Sequence, residues 1–127
     1  MKKILNLLID YYELKGIDFM GYKVTKKNPY TYHHIIKRCH GGEETFENGA
    51  ALTRISHQYL HIIESRDIMV YVYINNIFKQ IHEQGYGPTE AQLYAIDCIL
   101  KGFESEHAED KSAKGRVLIR REFLHRY

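Results

Sequence analysis

The chain has no tryptophan, only two prolines and two cysteines, and no long apolar run. Each shortage excludes something. Cys39 and Cys98 lie far apart and form no Cys-x-x-Cys pair, so neither a disulfide framework nor a thiolate zinc knuckle is available. Reduced thiols are the expected state, as in a cytoplasmic protein. No stretch approaches the roughly 20 apolar residues of a membrane-spanning helix, so no membrane partner is expected. The opening Met1-Lys2-Lys3-Ile4-Leu5-Asn6-Leu7-Leu8-Ile9-Asp10 is interrupted by Asn6 and stopped by Asp10. No small-residue cleavage site follows, and a signal peptide is not expected.

What is present suits a folded domain. A length of 127 residues fits one domain with a modest core, and 27% charged residues with 44% apolar ones argue against wholesale disorder. Eleven tyrosines carry most of the aromatic surface. The net charge of +2 hides a segregation. Residues 1–40 balance to +5, residues 41–110 to −8 and residues 111–127 to +5. Basic ends around an acidic middle can present a face to a nucleic-acid backbone, or can be solvated helix surfaces and a tail.

Apolar spacing predicts a helix over 2–15 (Ile4, Leu5, Leu8, Tyr11, Tyr12) closed by Gly16. Residues 17–32 are mixed, with a break at Asn28-Pro29. Tyr30 to Ile36 reads as a strand, 37–47 as a loop turned by Gly41-Gly42, and 48–53 as a short second strand whose Gly-Ala-Ala-Leu is weakly β-prone. Ser56 is the expected cap of a helix beginning at His57. A long helix over 67–84 buries Val70, Ile74, Ile77, Phe78 and Ile81. Gly85-Tyr86-Gly87-Pro88 ends it, and Thr89-x-x-Gln92 signals the capping box of a helix over 89–106. That helix carries Leu93, Ile96, Leu100 and Phe103 as its apolar face, with Cys98 expected to be buried. The reading is one α+β domain, 1–127.

Four of the eight histidines form two pairs at demanding spacings. His33 and His34 are adjacent on the first strand. Asn48 follows fourteen residues after His34, and His57 and His61 lie at i and i+4 on a helix. The second pair therefore shares one helix face and can chelate a divalent ion. A third imidazole from His33 would complete three protein ligands and leave positions open for water or substrate. His34 would remain free as a base near neutral pH. Adjacent strand residues point to opposite faces, so a twist or the strand's end must let both serve one site. Asn48 cannot titrate; its amide can bond across the loop or orient the base.

The set His33-His34-Ile35-Ile36, Gly41-Gly42, Glu47-Asn48 and His57-Gln58-Tyr59-Leu60-His61 resembles the HNH nucleases, the ββα-metal finger family, in its colicin-type His-x-x-x-His branch. The resemblance covers about residues 30–64. It implies a finger of two antiparallel strands and a helix embedded among the helices at 2–15, 67–84 and 89–106. It implies His33, His57 and His61 as ligands of one divalent cation (Mg, Mn, Zn or Ni). It also implies His34 as the base that activates water, and Asn48 as the residue that holds the loop and positions His34. The implied reaction is hydrolysis of nucleic-acid phosphodiesters, DNA above all, leaving a 5′-phosphate and a 3′-hydroxyl. The small size suits a phage or mobile-element product, and no specificity element is visible, which leaves room for a protein partner or a homodimer. Two alternatives stand beside this reading. One is a catalytically silent finger that binds DNA or regulates a nucleic-acid-processing protein. The other is a metallohydrolase acting on a different phosphoester.

Lys37, Arg38, Arg54 and Arg66 flank the set and are the candidate phosphate-binding residues; each is equally well a solvated charge. Lys23, Lys26, Lys27, Arg116, Arg120 and Arg121 are further candidates for backbone contact. His40, His82, His107 and His125 read as structural or solvated, Cys39 as too close to the set to dismiss, and Tyr71 and Tyr73 as core packing.

Overall fold

Strand β1 (Tyr30–His34) pairs antiparallel with β2 (Gly49–Thr53), in a register that sets Tyr30 opposite Thr53, His33 opposite Ala50 and His34 opposite Gly49. The computed structural model describes residues 2–107, so the basic tail at 111–127, with Arg116, Arg120, Arg121 and His125, lies outside the described residues. Four helices complete the α+β architecture: α1 (Lys2–Tyr11), α2 (Arg54–Arg66), α3 (Ile68–Gln84) and α4 (Glu90–Glu106).

The weakly β-prone β2 forms because space, more than propensity, decides there. All five of its residues are buried, Ala50, Ala51 and Leu52 completely. Both α1 and α2 pack against it. A Cβ on Gly49 would stand 2.4 Å from the Tyr32 ring and 2.9 Å from Leu8, so only glycine fits. The side chains are small because neighbours approach from more than one direction.

α1 stops at Tyr11, four residues before the boundary expected from its apolar spacing. Glu13 takes φ +51°, and the Leu14 N–H bonds the Ile9 carbonyl at 3.0 Å, which closes the helix as a Schellman turn without glycine. The turn aims Tyr12 inward. Its hydroxyl donates to Nδ1 of His82 at 2.7 Å, and Nε2 of His82 donates to the Gly49 carbonyl at 2.7 Å. His82 thus ties α1, α3 and β2 together.

α2 begins at Arg54, directly after β2, with Thr53 as its N-cap; Ser56, expected to be the cap, is already inside the first turn. Thr53 Oγ1 accepts from the Ser56 N–H at 3.3 Å, while the Ser56 hydroxyl is engaged elsewhere. Asp67 caps α3 through the N–H groups of Met69 and Val70, and Gly85 ends it at φ +85°. The Thr89–Gln92 capping box is formed in both directions, at 3.1 and 3.0 Å. On α4, Ile96, Leu100 and Phe103 are buried, but Cys98 is exposed because two residues past Ile96 is the far side of a helix. Tyr71 is buried and Tyr73, two residues on, is 51% exposed, for the same reason.

The group that receives the Ser56 hydroxyl is the fully buried carboxylate of Asp18. Its Oδ1 accepts from the N–H groups of Met20 (2.8 Å) and Tyr22 (2.9 Å). Its Oδ2 accepts from Thr53 N (2.7 Å) and Ser56 Oγ (2.6 Å). Burial pushes the carboxyl above its ordinary range, and the four donors pull against that shift. Replacing Asp18 with Ala would strand buried donors from the 18–22 turn, β2 and α2 together. The expected loss is about 3 kcal/mol or more, read as a lower denaturant midpoint at unchanged m-value. A loss below about 1 kcal/mol would show that these bonds do not hold the corner.

Candidate functional site

The strand–helix corner sets four imidazoles around one cavity. His33 rises from β1 and is 2% exposed. His57 and His61 stand one turn apart on α2, their rings stacked at 5.0 Å between centroids. The His33 ring lies 5.3 Å from that of His57 and 6.3 Å from that of His61. These three, with His34, Lys37, Arg38 and Tyr71, line a cavity of about 290 Å³.

The bonds behind the three rings settle which nitrogen carries the proton. Asn75 uses its amide N–H on the Tyr71 carbonyl (2.9 Å), so its Oδ1 must accept from Nε2–H of His33 (2.8 Å), leaving Nδ1 with the lone pair. The Thr31 hydroxyl donates to the Leu52 carbonyl (2.9 Å), so its oxygen must accept from Nδ1–H of His57 (2.8 Å), leaving Nε2 free. A Glu64 carboxylate oxygen sits 3.2 Å from Nδ1 of His61, which leaves Nε2 free there too. Each ring is backed by an oxygen acceptor, the arrangement that orients histidines toward a metal.

Burial first, then the nearby His61 and His34, holds His57 down to about 4; burial likewise holds His33 down to about 3, against the Asn75 bond. Both rings are therefore neutral at pH 7, the form that binds metal. Imidazoles bound tetrahedrally at about 2.1 Å have ring centres roughly 5 Å apart. Two of the three separations already match, and the third needs about 1 Å of closure. His61, with half its side chain exposed, can supply that movement. The ring separations are of that order, but the nitrogens of the three histidines do not all lie within 4.8 Å of one another. A tighter group of candidate donors, Asp67, Glu106 and His107, has its atoms within 4.8 Å of one another, at the junction of α2 and α3 with the end of α4. Its members are partly or fully exposed.

His34 ends β1, which is how it borders the same cavity as its neighbour His33. Its ring meets Tyr32 edge-on at 4.9 Å. Its Nε2 is buried with no hydrogen-bond partner among the described residues, and the nearest carboxylate oxygen, on Glu44, is 3.9 Å away.

Asn48 grips the loop that follows. Its Oδ1 accepts from the Ile36 N–H (2.7 Å), and its Nδ2 donates to the carbonyls of Ile36 (3.0 Å) and Glu43 (2.9 Å). Its own carbonyl accepts from the Ile35 N–H at 2.8 Å. Asn48 has no bond to His34; it fixes the backbone immediately after it. Gly42 must lack a side chain, because a Cβ would fall 1.7 Å from the Ile36 carbonyl oxygen and 2.9 Å from Asn48 Nδ2.

Of the flanking cations, Lys37 and Arg38 line the cavity, and Lys37 is paired with Glu64. Arg54 lies apart, its guanidinium on the Lys27 carbonyl at 3.1 Å, and Arg66 is the exposed last residue of α2. Neither lines the cavity. Three supporting residues, Thr31, Glu64 and Asn75, escaped the sequence reading, and Tyr71 was read only as core packing. Thr31 and Glu64 had a signal, standing two before His33 and three after His61 on the same faces. Tyr71 and Asn75 had none that links them to a histidine some forty residues earlier.

Compared with protein-family models, with curated proteins and with solved structures, the chain gives no match. The functional reading rests on these side chains.

The lowered values of His33 and His57 fix the direction of a pH effect. Unfolded histidine titrates near 6.5, so below that pH the unfolded chain binds protons that the folded chain refuses, and stability falls with pH. The loss runs from about pH 6.5 down through about 4 and about 3, at roughly 1.4 kcal/mol per unit for each ring. His82, lowered by burial, adds in the same direction. Thermal melts without added metal should therefore show a midpoint that drops steadily from pH 6.5 to 4. A flat midpoint would mean the rings are not buried as described.

Proposed function

We propose that the chain is a metal-dependent endonuclease of the HNH type, cutting nucleic-acid phosphodiesters, with DNA the expected substrate. The observation that carries the reading is the backing of His33, His57 and His61 by Asn75, Thr31 and Glu64. Each acceptor leaves one lone pair available on its ring, and a fourth imidazole, whose Nε2 makes no hydrogen bond among the described residues, stands beside them.

His33, His57 and His61 would hold one divalent cation. A divalent cation bound there supplies positive charge against the phosphate oxygens and the leaving oxygen. The free nitrogen of His34 takes the proton from a water whose oxygen attacks phosphorus. The bond from phosphorus to the 3′ oxygen breaks, and that oxygen takes a proton from solvent water, leaving a 5′-phosphate and a 3′-hydroxyl. Asn48 holds the backbone after His34, so the base keeps its place. Lys37 and Arg38 bring positive charge to the rim, where the phosphate must arrive.

The test uses supercoiled plasmid with Mg²⁺, Mn²⁺, Ni²⁺ or Zn²⁺ and a parallel titration of metal binding. The wild-type chain should nick in at least one metal. His34→Ala should lower nicking by about 10²- to 10⁴-fold while metal affinity holds. His57→Ala should lose both. Metal and DNA binding without nicking by the wild type would instead identify a silent binding module. In the same titration, Glu64→Gln should weaken metal binding about 10- to 100-fold, because His61 loses its charged acceptor. An affinity equal to wild type would remove Glu64 from the site.

A further inference from the structure

Tyr71 lies beside the histidines and takes no part in the reaction above. It is 6% exposed, and its hydroxyl is buried with no hydrogen-bond partner among the described residues. A buried, unbonded hydroxyl costs free energy, and such a group marks a place where something else is meant to bond. The Asn75 side chain comes close enough to the phenol to act on its pKa, but it makes no hydrogen bond of full geometry there; its oxygen is engaged by His33 and its nitrogen by the Tyr71 backbone carbonyl. The Tyr71 ring stands edge-on to His33, with 6.3 Å between centroids.

Tyr71 also lies where two cavities meet. One is the histidine cavity; the other, of about 370 Å³, runs between residues 35–37 and α3 toward Asn76 and Lys79. Lys37 borders both. The charged neighbours of the phenol are Glu64 and Lys37, with Cys39 close by. Burial, then Glu64, raises the phenol above its ordinary value, so it remains a donor at neutral pH.

We propose that the Tyr71 hydroxyl, with Lys37 and Arg38, forms a subsite for a phosphodiester oxygen of the nucleic-acid backbone, an inference that rests on the nuclease reading. The phenol donates one directed bond to an anionic oxygen, Lys37 supplies a mobile ammonium, and Arg38 supplies a planar fork. Lys37 leaves Glu64 for the phosphate, exchanging one oxyanion for another. The second cavity then gives the strand a path onward past Lys79.

Tyr71→Phe deletes the oxygen alone. Its thermal midpoint should equal or exceed that of wild type, since the lost hydroxyl makes no hydrogen bond of full geometry among the described residues, only a looser approach to Asn75. Its Kd for a fluorescein-labelled DNA duplex, measured in EDTA, should rise about tenfold. The slope of log Kd against log salt should stay the same in Tyr71→Phe and fall by about one in Lys37→Ala. A Kd within twofold of wild type would overturn the subsite. So would a lowered midpoint, which would make the hydroxyl structural. Plasmid nicking by the same wild-type preparation separates the two levels. If wild type neither binds the duplex nor nicks, the nuclease reading fails and the subsite falls with it. If wild type nicks and Tyr71→Phe binds normally, the subsite alone is wrong.

Discussion

The carboxylate of Asp18 is the constraint on which the rest of the architecture depends. It is fully buried, yet it receives donors from the 18–22 turn, from the end of β2 and from the first turn of α2. A charge in that position is tolerable only because each oxygen is met by hydrogen-bond donors. The same bonds lock the angle at which α2 leaves the sheet. Since His33 is on β1 and His57 and His61 are on α2, that angle decides whether three imidazoles face one another. A polar group remote from the candidate chemistry thereby sets its geometry.

A second polar layer prepares the rings themselves. Thr31, Asn75 and Glu64 each contribute one oxygen, and each fixes a tautomer. Burial alone would make His33 and His57 neutral but leave their protons free to sit on either nitrogen. Hydrogen bonding alone would orient them without excluding the charged form. The two effects together give rings that are both neutral and directional. Lys37, shared between Glu64 and the cavity, places the cation that would meet phosphate in contact with the carboxylate that orients His61.

Much of this was legible from local pattern. The Thr89–Gln92 box, the Gly41-Gly42 turn, the strand read over 30–36 (which ends at His34) and the two histidine pairs are short-range signals whose physics is complete within a few residues. Asp18 was not legible, because its partners come from positions 20, 22, 53 and 56 and no spacing links them. Asn75 sits inside an apolar stripe and reads as an interruption until His33 is set against it. Cys98 was misplaced because counting apolar neighbours ignored helix phase. The start of α2 was misplaced because Ser56 looks like a cap when the strand is assumed to end in a loop. Thr53, strand residue and cap at once, removes that loop.

The absence of a linker at Thr53 restricts how this chain can vary in length. One inserted residue between β2 and α2 would turn the helix by about 100° and carry His57 and His61 away from His33. Insertions and deletions are therefore barred at the corner, and the loop at 43–45 is held too, by Asn48 on the Glu43 carbonyl and Thr45 Oγ1 and by the Tyr32 hydroxyl on the Thr45 carbonyl. Divergent copies of this chain should stay invariant in count from residue 49 to residue 61.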